Sequence, residues 1–201
     1  KNGGTDLTES NLAATDQATD TPTNNFCTMN PLDNYLQGST FSEGNIKLVT
    51  GGTSKYSWNT GTIGLSSGKW YWEVKVTSTG NDFDTIGFAP SVTTSATDVL
   101  GNTTDSVAWH ANDGTGQLRK SNSVLATIST YTTGAILGFA LDLDNNLIYV
   151  YLNGVIENSG TGLAVTAPAS TTTGFYFPAA GTNDNSTGTY EFNFGNPPYA
   201  N

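Results

Sequence analysis

The stretch GAILGFALDLDNNLIYVYLNGV, from Gly134 to Val155, decides the fold together with GKWYWEVKV, from Gly68 to Val76. Large apolar residues recur at every second position in both, which is the pattern of a strand with one buried face. The turn residues Asp142 to Asn146 separate two such runs and predict a β-hairpin, and Asn153-Gly154 is a second tight-turn signal. The predicted inward residues are Trp70, Trp72, Val74, Val76, Leu137, Phe139, Leu141, Leu143, Ile148, Val150 and Leu152.

Short strands alternate with Gly, Ser, Thr and Asn turns from Thr40 onward, at intervals of about ten residues. This rhythm contains no helical segment and is typical of an all-β chain. We therefore predict an antiparallel β-sandwich. Its expected strands are Phe41 to Thr50, Ser54 to Trp58, Trp70 to Thr77, Thr85 to Ala89, Ser106 to His110, Gln117 to Lys120, Ala135 to Asp142, Leu147 to Leu152, Gly174 to Ala179 and Thr189 to Phe194.

Seven motifs in this part of the chain resemble, in their order, those of the SPRY family. They are GKWYWE at 68–73, IGFA at 86–89, SVAWH at 106–110 with Asp113-Gly114, GFALD at 138–142, Asn153-Gly154, YFPA at 176–179 and NFG at 193–195. One departure is Ala135, where the family often has Asp. The resemblance spans Thr40 to Tyr199 and implies a concanavalin-like jelly roll that binds rather than catalyses.

The chain divides into an N-terminal arm, residues 1–39, and the SPRY-like sandwich, residues 40–201. Lys1 to Asp20 lacks apolar periodicity, so we expect it to dock on another chain or domain. Isolated apolar residues should pin the following segment, Asp20 to Tyr35, to the sandwich surface. The stretch from Thr5 to Phe41 is similar to the segment that precedes SPRY-like domains in tail and fibre proteins of bacterial viruses. The start at Lys1 without Met suggests a piece of a longer polypeptide.

The composition argues against some classes of binding partner. The chain of 201 residues has room for one sandwich and an arm, and its net charge of −10 argues against nucleic acid or an anionic membrane as partner. No apolar run approaches the roughly 20 residues that span a bilayer. Cys27 is the single cysteine, which excludes an internal disulfide.

Residues with catalytic potential are few. A paired-carboxylate hydrolase needs two acids on one strand face, but none of the five glutamates has a second acid two or four positions away. His110 is the only histidine and could act as a general base or a metal ligand, but a structural histidine is the favoured interpretation. Cys27 has no second thiol nearby. We expect no enzymatic activity, no metal and no cofactor.

Aromatic residues at alternating strand positions suggest either a sugar-stacking platform or the core, and the core is favoured. They are Trp70, Trp72, Tyr149, Tyr151, Phe175, Phe177, Phe192 and Phe194. Trp58 and Trp109 fit either a binding hot spot or the closure of the core.

Counting the strand crossings predicts which loops share one end of the sandwich, and we take that end as the candidate binding end. If each strand from Trp70 onward crosses the sandwich once, four turns share an end that gathers Asn81, Asp82, Asp84, Asn112, Asp113, Asn145, Asn183, Asp184 and Asn185. These side chains could hydrogen-bond sugar hydroxyls or hold a hard cation through oxygen ligands, although tight turns also select Asn and Asp for their own geometry. The candidate ligand-binding residues are Asn81, Asp82, Asn112, Asp113, Asn183 and Asp184.

Taken with the resemblance, these observations lead us to expect a binding or structural module of a phage virion protein, in a tail fibre or on the capsid surface. Its expected partners are other virion proteins and a host-surface glycan or protein, within a homo-oligomer. Two alternatives stay open: a protein-interaction adaptor of the eukaryotic SPRY kind and a polysaccharide-active enzyme.

Overall fold

Two antiparallel β-sheets face one another in the computed structural model, which describes residues 25–34, 36, 38–51, 56–80, 84–93, 95–112, 114–182 and 187–195. The first sheet has the order β1-β2-β14-β4-β9-β10-β11, with β12 paired to β10, and the second has the order β3-β13-β5-β6-β7-β8. The strands are β1 Thr40–Ser42, β2 Lys47–Val49, β3 Ser57–Thr60, β4 Lys69–Ser78, β5 Asp84–Ala89, β6 Val107–Asn112, β7 Thr115–Lys120, β8 Ser123–Ile128, β9 Ile136–Asp142, β10 Leu147–Leu152, β11 Val155–Ile156, β12 Leu163–Ala164, β13 Phe177–Thr182 and β14 Thr189–Asn193.

The described residues include two 3-10 turns, Asn158–Gly160 and Pro168–Ser170, and no α-helix. The prediction of an all-β antiparallel sandwich is therefore confirmed. Within the described ranges, no helix has the length and apolar character needed to cross a bilayer.

The core lies between the two sheets and is built on β4, β9 and β10. Trp72 stacks on Phe139 of the same sheet, with ring centroids 5.3 Å apart, and meets Phe88 of the second sheet edge-on at 6.1 Å. The predicted alternation is confirmed along β4 and β9, because Trp72 to Val76 and Leu137 to Leu141 bury every second side chain. Trp70 is the exception, with 43% of its surface exposed, because it lies where β4 begins, at the edge of the core.

Two differences from the predicted strands change the topology. The single strand expected over Phe41 to Thr50 is the hairpin β1–β2, whose turn at Glu43, Gly44 and Asn45 adopts positive φ. The prediction missed β8, which pairs with β7 through a tight turn at Ser121 and Asn122, both also at positive φ.

The aromatic residues around β13 face opposite to the prediction. Tyr176 is fully buried, donates its hydroxyl to Thr166 O at 2.9 Å and pairs its backbone with Leu65, whereas Phe175 is 42% exposed. The tyrosine can occupy the inner position because its hydroxyl finds a hydrogen-bond acceptor there. Trp58 and Trp109 are both buried and belong to the packed interior. Trp109 lies in the main core, and Trp58 lies in a smaller cluster on the other face of the second sheet.

The segment that precedes β1 is fastened to the sandwich by a buried polar network. Met29 is fully buried and forms a β-bridge with Gly61. Asp33 accepts hydrogen bonds from the backbone N–H and the hydroxyl of Thr60, at 2.8 and 2.7 Å, while Asn59 donates to the Asp33 carbonyl. These bonds satisfy groups that burial would otherwise leave without partners, so the segment is held in one position.

Candidate functional site

The predicted binding end falls mostly outside the described residues. Asn81, Asp82, Asp113, Asn183 and Asp184 lie outside them, and Asn112 is described only as the last residue of β6. The strand ends that flank the loops at 78–84, 111–116 and 181–188 do lie side by side. The register pairs Asp84 with Thr182, Ser78 with Thr189 and Thr85 with His110. The binding role of these loops stays a prediction.

Asn145 does not belong to that end. Its turn follows β9, whose last residue, Asp142, pairs with Lys69 at the start of β4. The prediction omitted β8. Because β8 adds one crossing of the sandwich, the turns between β8 and β10 lie at the end opposite to the one predicted. The side chain of Asp142 organises this turn, since it accepts hydrogen bonds from the backbone N–H groups of Asp144 and Asn145 and from the Asn145 amide. The same Asn145 amide is the first cause that lowers the pKa of Asp142.

Asp84, another acid of the predicted end, is a structural residue. It is fully buried, its carboxylate accepts the backbone N–H of Gly80 at 3.0 Å, and its carbonyl accepts the Tyr131 hydroxyl at 2.8 Å. Burial and then the Asp84 charge raise the pKa values of Tyr131 and Tyr190 well above the usual tyrosine value. Asp84 therefore serves the interior rather than a surface ligand.

His110 and Cys27 are also structural. His110 lies 2.7 Å from the Leu100 carbonyl through Nε2, and burial lowers its pKa to about 4, so the ring is neutral at physiological pH. Burial raises the pKa of the Cys27 thiol, which makes it a poor nucleophile. Among the residues that the structure describes, no three His, Cys, Asp or Glu side chains come together as metal ligands.

The structure reveals an apolar pocket that the sequence did not predict. It has a volume of about 90 Å³ and opens where β4 begins and β14 ends, against the segment before β1. Gly195 lies against Phe26 there, since a Cβ on this glycine would be 3.1 Å from the ring. Its lining includes Phe26, Ile63, Leu65, Trp70, Trp72 and Phe194.

Trp72 lines this pocket, and its side chain carries a hydrogen-bond donor that is unpaired among the described residues. The side chain is only 2% exposed, and its indole N–H finds no acceptor in the described part of the chain. The other three tryptophans all donate, Trp58 to a carbonyl at 3.2 Å, Trp70 at 2.7 Å and Trp109 at 2.9 Å. Buried donors are nearly always paired, so this N–H is an exception.

Two exposed aromatic residues stand beside the pocket. Trp70 is 43% and Tyr71 54% exposed, and both line the pocket. Tyr71 is held in place, because its hydroxyl donates to Glu73 Oε1 at 2.9 Å and its ring meets Tyr151 edge-on at 6.3 Å. Burial first and then Glu73 raise the pKa of Tyr71 to about 12.

The signal for this pocket in the sequence was weak. In the alternating pattern of its strand, Trp70 occupies an inward position. Only its place just after the Gly68 turn indicates that it lies at the edge of the core. Phe26 and Phe194 come from opposite ends of the sequence, and no local pattern connects them.

The sequence matches the SPRY domain family over residues 69–197. Among solved structures, the fold is similar to the TRIM65 PSpry domain, with a TM-score of 0.61 and 15% identity over 84% of this chain and 92% of that one. It is also similar to the SPRY domain of human HERC1, with a TM-score of 0.56 and 17% identity over 82% and 96% of the two chains. A further human SPRY domain gives 0.56 and 18% over 78% and 95%. No curated protein sequence matches it. The chain belongs to the SPRY domain family, whose members are typically protein-interaction modules.

Proposed function

We propose that this domain binds a protein partner by taking one apolar side chain of that partner into the pocket beside Trp72. The observation that carries the proposal is a pocket of about 90 Å³ bordered by the exposed aromatic side chains of Trp70 and Tyr71. A partner that placed an apolar side chain in this pocket would remove apolar surface of both molecules from water.

The residues around the pocket support this proposal. Tryptophan and tyrosine are the residues most enriched among the energetic hot spots of interfaces, and Trp70 and Tyr71 are both exposed here. A pocket of about 90 Å³ holds one side chain rather than a folded element. Specific interfaces bury about 1,200–2,000 Å² in total, so the pocket would anchor a larger contact.

The biological setting is a separate part of the proposal. A virion surface rests on the resemblance of the stretch Thr5 to Phe41 to segments of phage tail and fibre proteins. An adaptor domain of the eukaryotic kind fits the human SPRY domains of similar fold at least as well. Both settings share the same expectation of a protein partner.

A selection with a displayed library of random short peptides tests the pocket. Peptides enriched on the wild-type domain are titrated against Ile63→Phe, which enlarges a partly buried side chain in the pocket wall. Val124→Phe is the matched control, because Val124 is 46% exposed on β8 at the far edge of the second sheet. We expect Ile63→Phe to weaken binding by more than about tenfold, while Val124→Phe leaves it unchanged.

A parallel variant separates the pocket from the predicted loops. It replaces Asn81, Asp82, Asn112, Asp113, Asn183 and Asp184 with Ser or Ala and is titrated with the same peptides and with a glycan panel. Loss of binding in this variant, together with full binding by a folded Ile63→Phe domain, would transfer the site to the loops. Binding to glycans and to no peptide would refute a protein partner.

A further inference from the structure

We infer that the partner segment carries a Lys or Arg two or three residues from its apolar anchor, and that this basic side chain binds at Tyr71 and Glu73. The inference rests on the proposed function, since it specifies the ligand of the same pocket. It starts from the position of Tyr71, which lines the pocket and also donates its hydroxyl to Glu73 Oε1 at 2.9 Å. One side chain thus connects the apolar pocket to a carboxylate.

Glu73 lies on the outer face of the first sheet within a fixed row of residues. The register places Asn193, Glu73, Gly138 and Tyr151 side by side across β14, β4, β9 and β10. The second oxygen of Glu73 accepts the Asn193 amide at 3.4 Å, a long hydrogen bond that leaves lone pairs for another donor. The carboxylate is therefore oriented before a ligand arrives.

Gly138 makes this arrangement possible. A Cβ at this position would lie 2.7 Å from the Tyr71 hydroxyl oxygen, so the glycine lets the tyrosine lie low over β9 towards Glu73. The rings of Tyr71 and Tyr151 meet edge-on over Gly138, on the side of Glu73 that faces β9 and β10. A guanidinium or ammonium group is attracted both to ring faces within about 6 Å and to the carboxylate.

The charge around the pocket end favours a basic ligand. The whole chain carries −10, from 17 acidic and 7 basic residues. At the start of β4, Lys69 is already paired with Asp142 at 3.2 Å, while Asp144 accepts the Gly68 backbone N–H. The other lysines of this face, Lys47 and Lys75, lie further along the sheet beside Glu191. A basic peptide therefore meets a net negative surface at the pocket end.

The spacing follows from the geometry of an extended peptide. Its side chains advance by about 3.3 Å per residue, so a residue two or three positions from the anchor lies about 7–10 Å away. A tyrosine side chain spans a comparable distance, and Tyr71 reaches from the pocket wall to Glu73. The ligand motif is thus an apolar residue and a basic residue separated by one or two positions.

The peptides selected on the wild-type domain provide the probe. We expect the enriched sequences to share this motif, and their binding to weaken as salt is raised, because salt screens exposed charges. Glu73→Gln should weaken binding by more than about tenfold and abolish most of the salt dependence. Glu191→Gln is the matched control, since it removes the same charge further along the same face and should change binding by less than about twofold.

The outcomes distinguish this inference from the proposed function. If Ile63→Phe abolishes binding but Glu73→Gln binds as wild type, the basic residue is refuted and the pocket stands. If both variants bind as wild type, the pocket itself is refuted and the inference falls with it. Equal losses in Glu73→Gln and Glu191→Gln would show general charge attraction and would also refute the inference. Chemical denaturation of each variant verifies that it is folded.

Discussion

Acid should destabilise this domain through His110, its only histidine. The imidazole is 5% exposed, with Nε2 at 2.7 Å from the Leu100 carbonyl. Gly101 closes over it at φ +85°, where a Cβ would lie 2.9 Å from Nε2. Burial is the largest cause that lowers the pKa of His110, from 6.5 to about 4, and the charge of Arg119 lowers it further, against the opposing Leu100 hydrogen bond.

The magnitude follows from proton linkage. In the unfolded chain His110 takes up a proton as the pH falls below 6.5, whereas in the folded domain it does so only near pH 4. The unfolded state binds more protons between these values, so folding stability falls as the pH is lowered through that window and levels off below it. At about 1.4 kcal/mol for each pKa unit, the loss amounts to about 3 kcal/mol. Above pH 6.5 the histidine contributes no pH dependence.

Urea denaturation across this pH window measures the effect. The control is His110→Gln, which keeps an amide donor near Leu100 but does not titrate. We expect the wild-type stability to fall more steeply with acid than that of the variant, by about 3 kcal/mol at the lower end. Asp33, whose pKa is raised by burial, acts in the opposite sense in both proteins, so the comparison cancels it.

The resonance of the single imidazole gives an independent reading by NMR. A titration midpoint near pH 4 in the folded domain agrees with the burial of His110. A midpoint near the ordinary histidine value, or identical pH profiles for the wild type and His110→Gln, would refute the reasoning.

Three further predictions concern the framework. Trp72→Ala should destabilise the domain by about 3–5 kcal/mol in urea denaturation, because it leaves a cavity between the sheets. Tyr71→Ala, on the outer face, should destabilise it less. Equal losses would show that the two side chains are assigned to the wrong faces of the sheet. Deletion of residues 1–20 should leave the melting temperature nearly unchanged, and a large drop would make the arm part of the sandwich. Gly87→Ala should destabilise by about 3 kcal/mol or more, since the new Cβ would lie 2.1 Å from the Val107 carbonyl oxygen; a stable variant would contradict the close approach of β5 and β6.

The strands that could be predicted are those whose alternation is long and whose inward residues are large. The β4, β9 and β10 strands meet both conditions, and their buried faces follow from the sequence alone. The β8 sequence SVLATI gave no such signal, because most of its side chains are exposed or half-buried at a sheet edge. That single omission was enough to place Asn145 at the wrong end.

The pocket could not be predicted for a different reason. Its walls come from the segment before β1, the residues around Leu65, the start of β4 and the end of β14, which only the tertiary fold brings together. The missing acceptor of Trp72 is likewise a property of three-dimensional packing. The residue type and parity of Trp72 did predict its burial.

The contact between Phe26 and Gly195 has a consequence for how the domain could be carried by a larger protein. The described chain enters and leaves the sandwich at one place, so a host polypeptide could hold the domain on a surface loop without spreading the loop's two stems. A pull on both stems would then act first on this junction, where Phe26 and Phe194 line the pocket. Tension on the two stems would therefore be transmitted to the walls of the pocket.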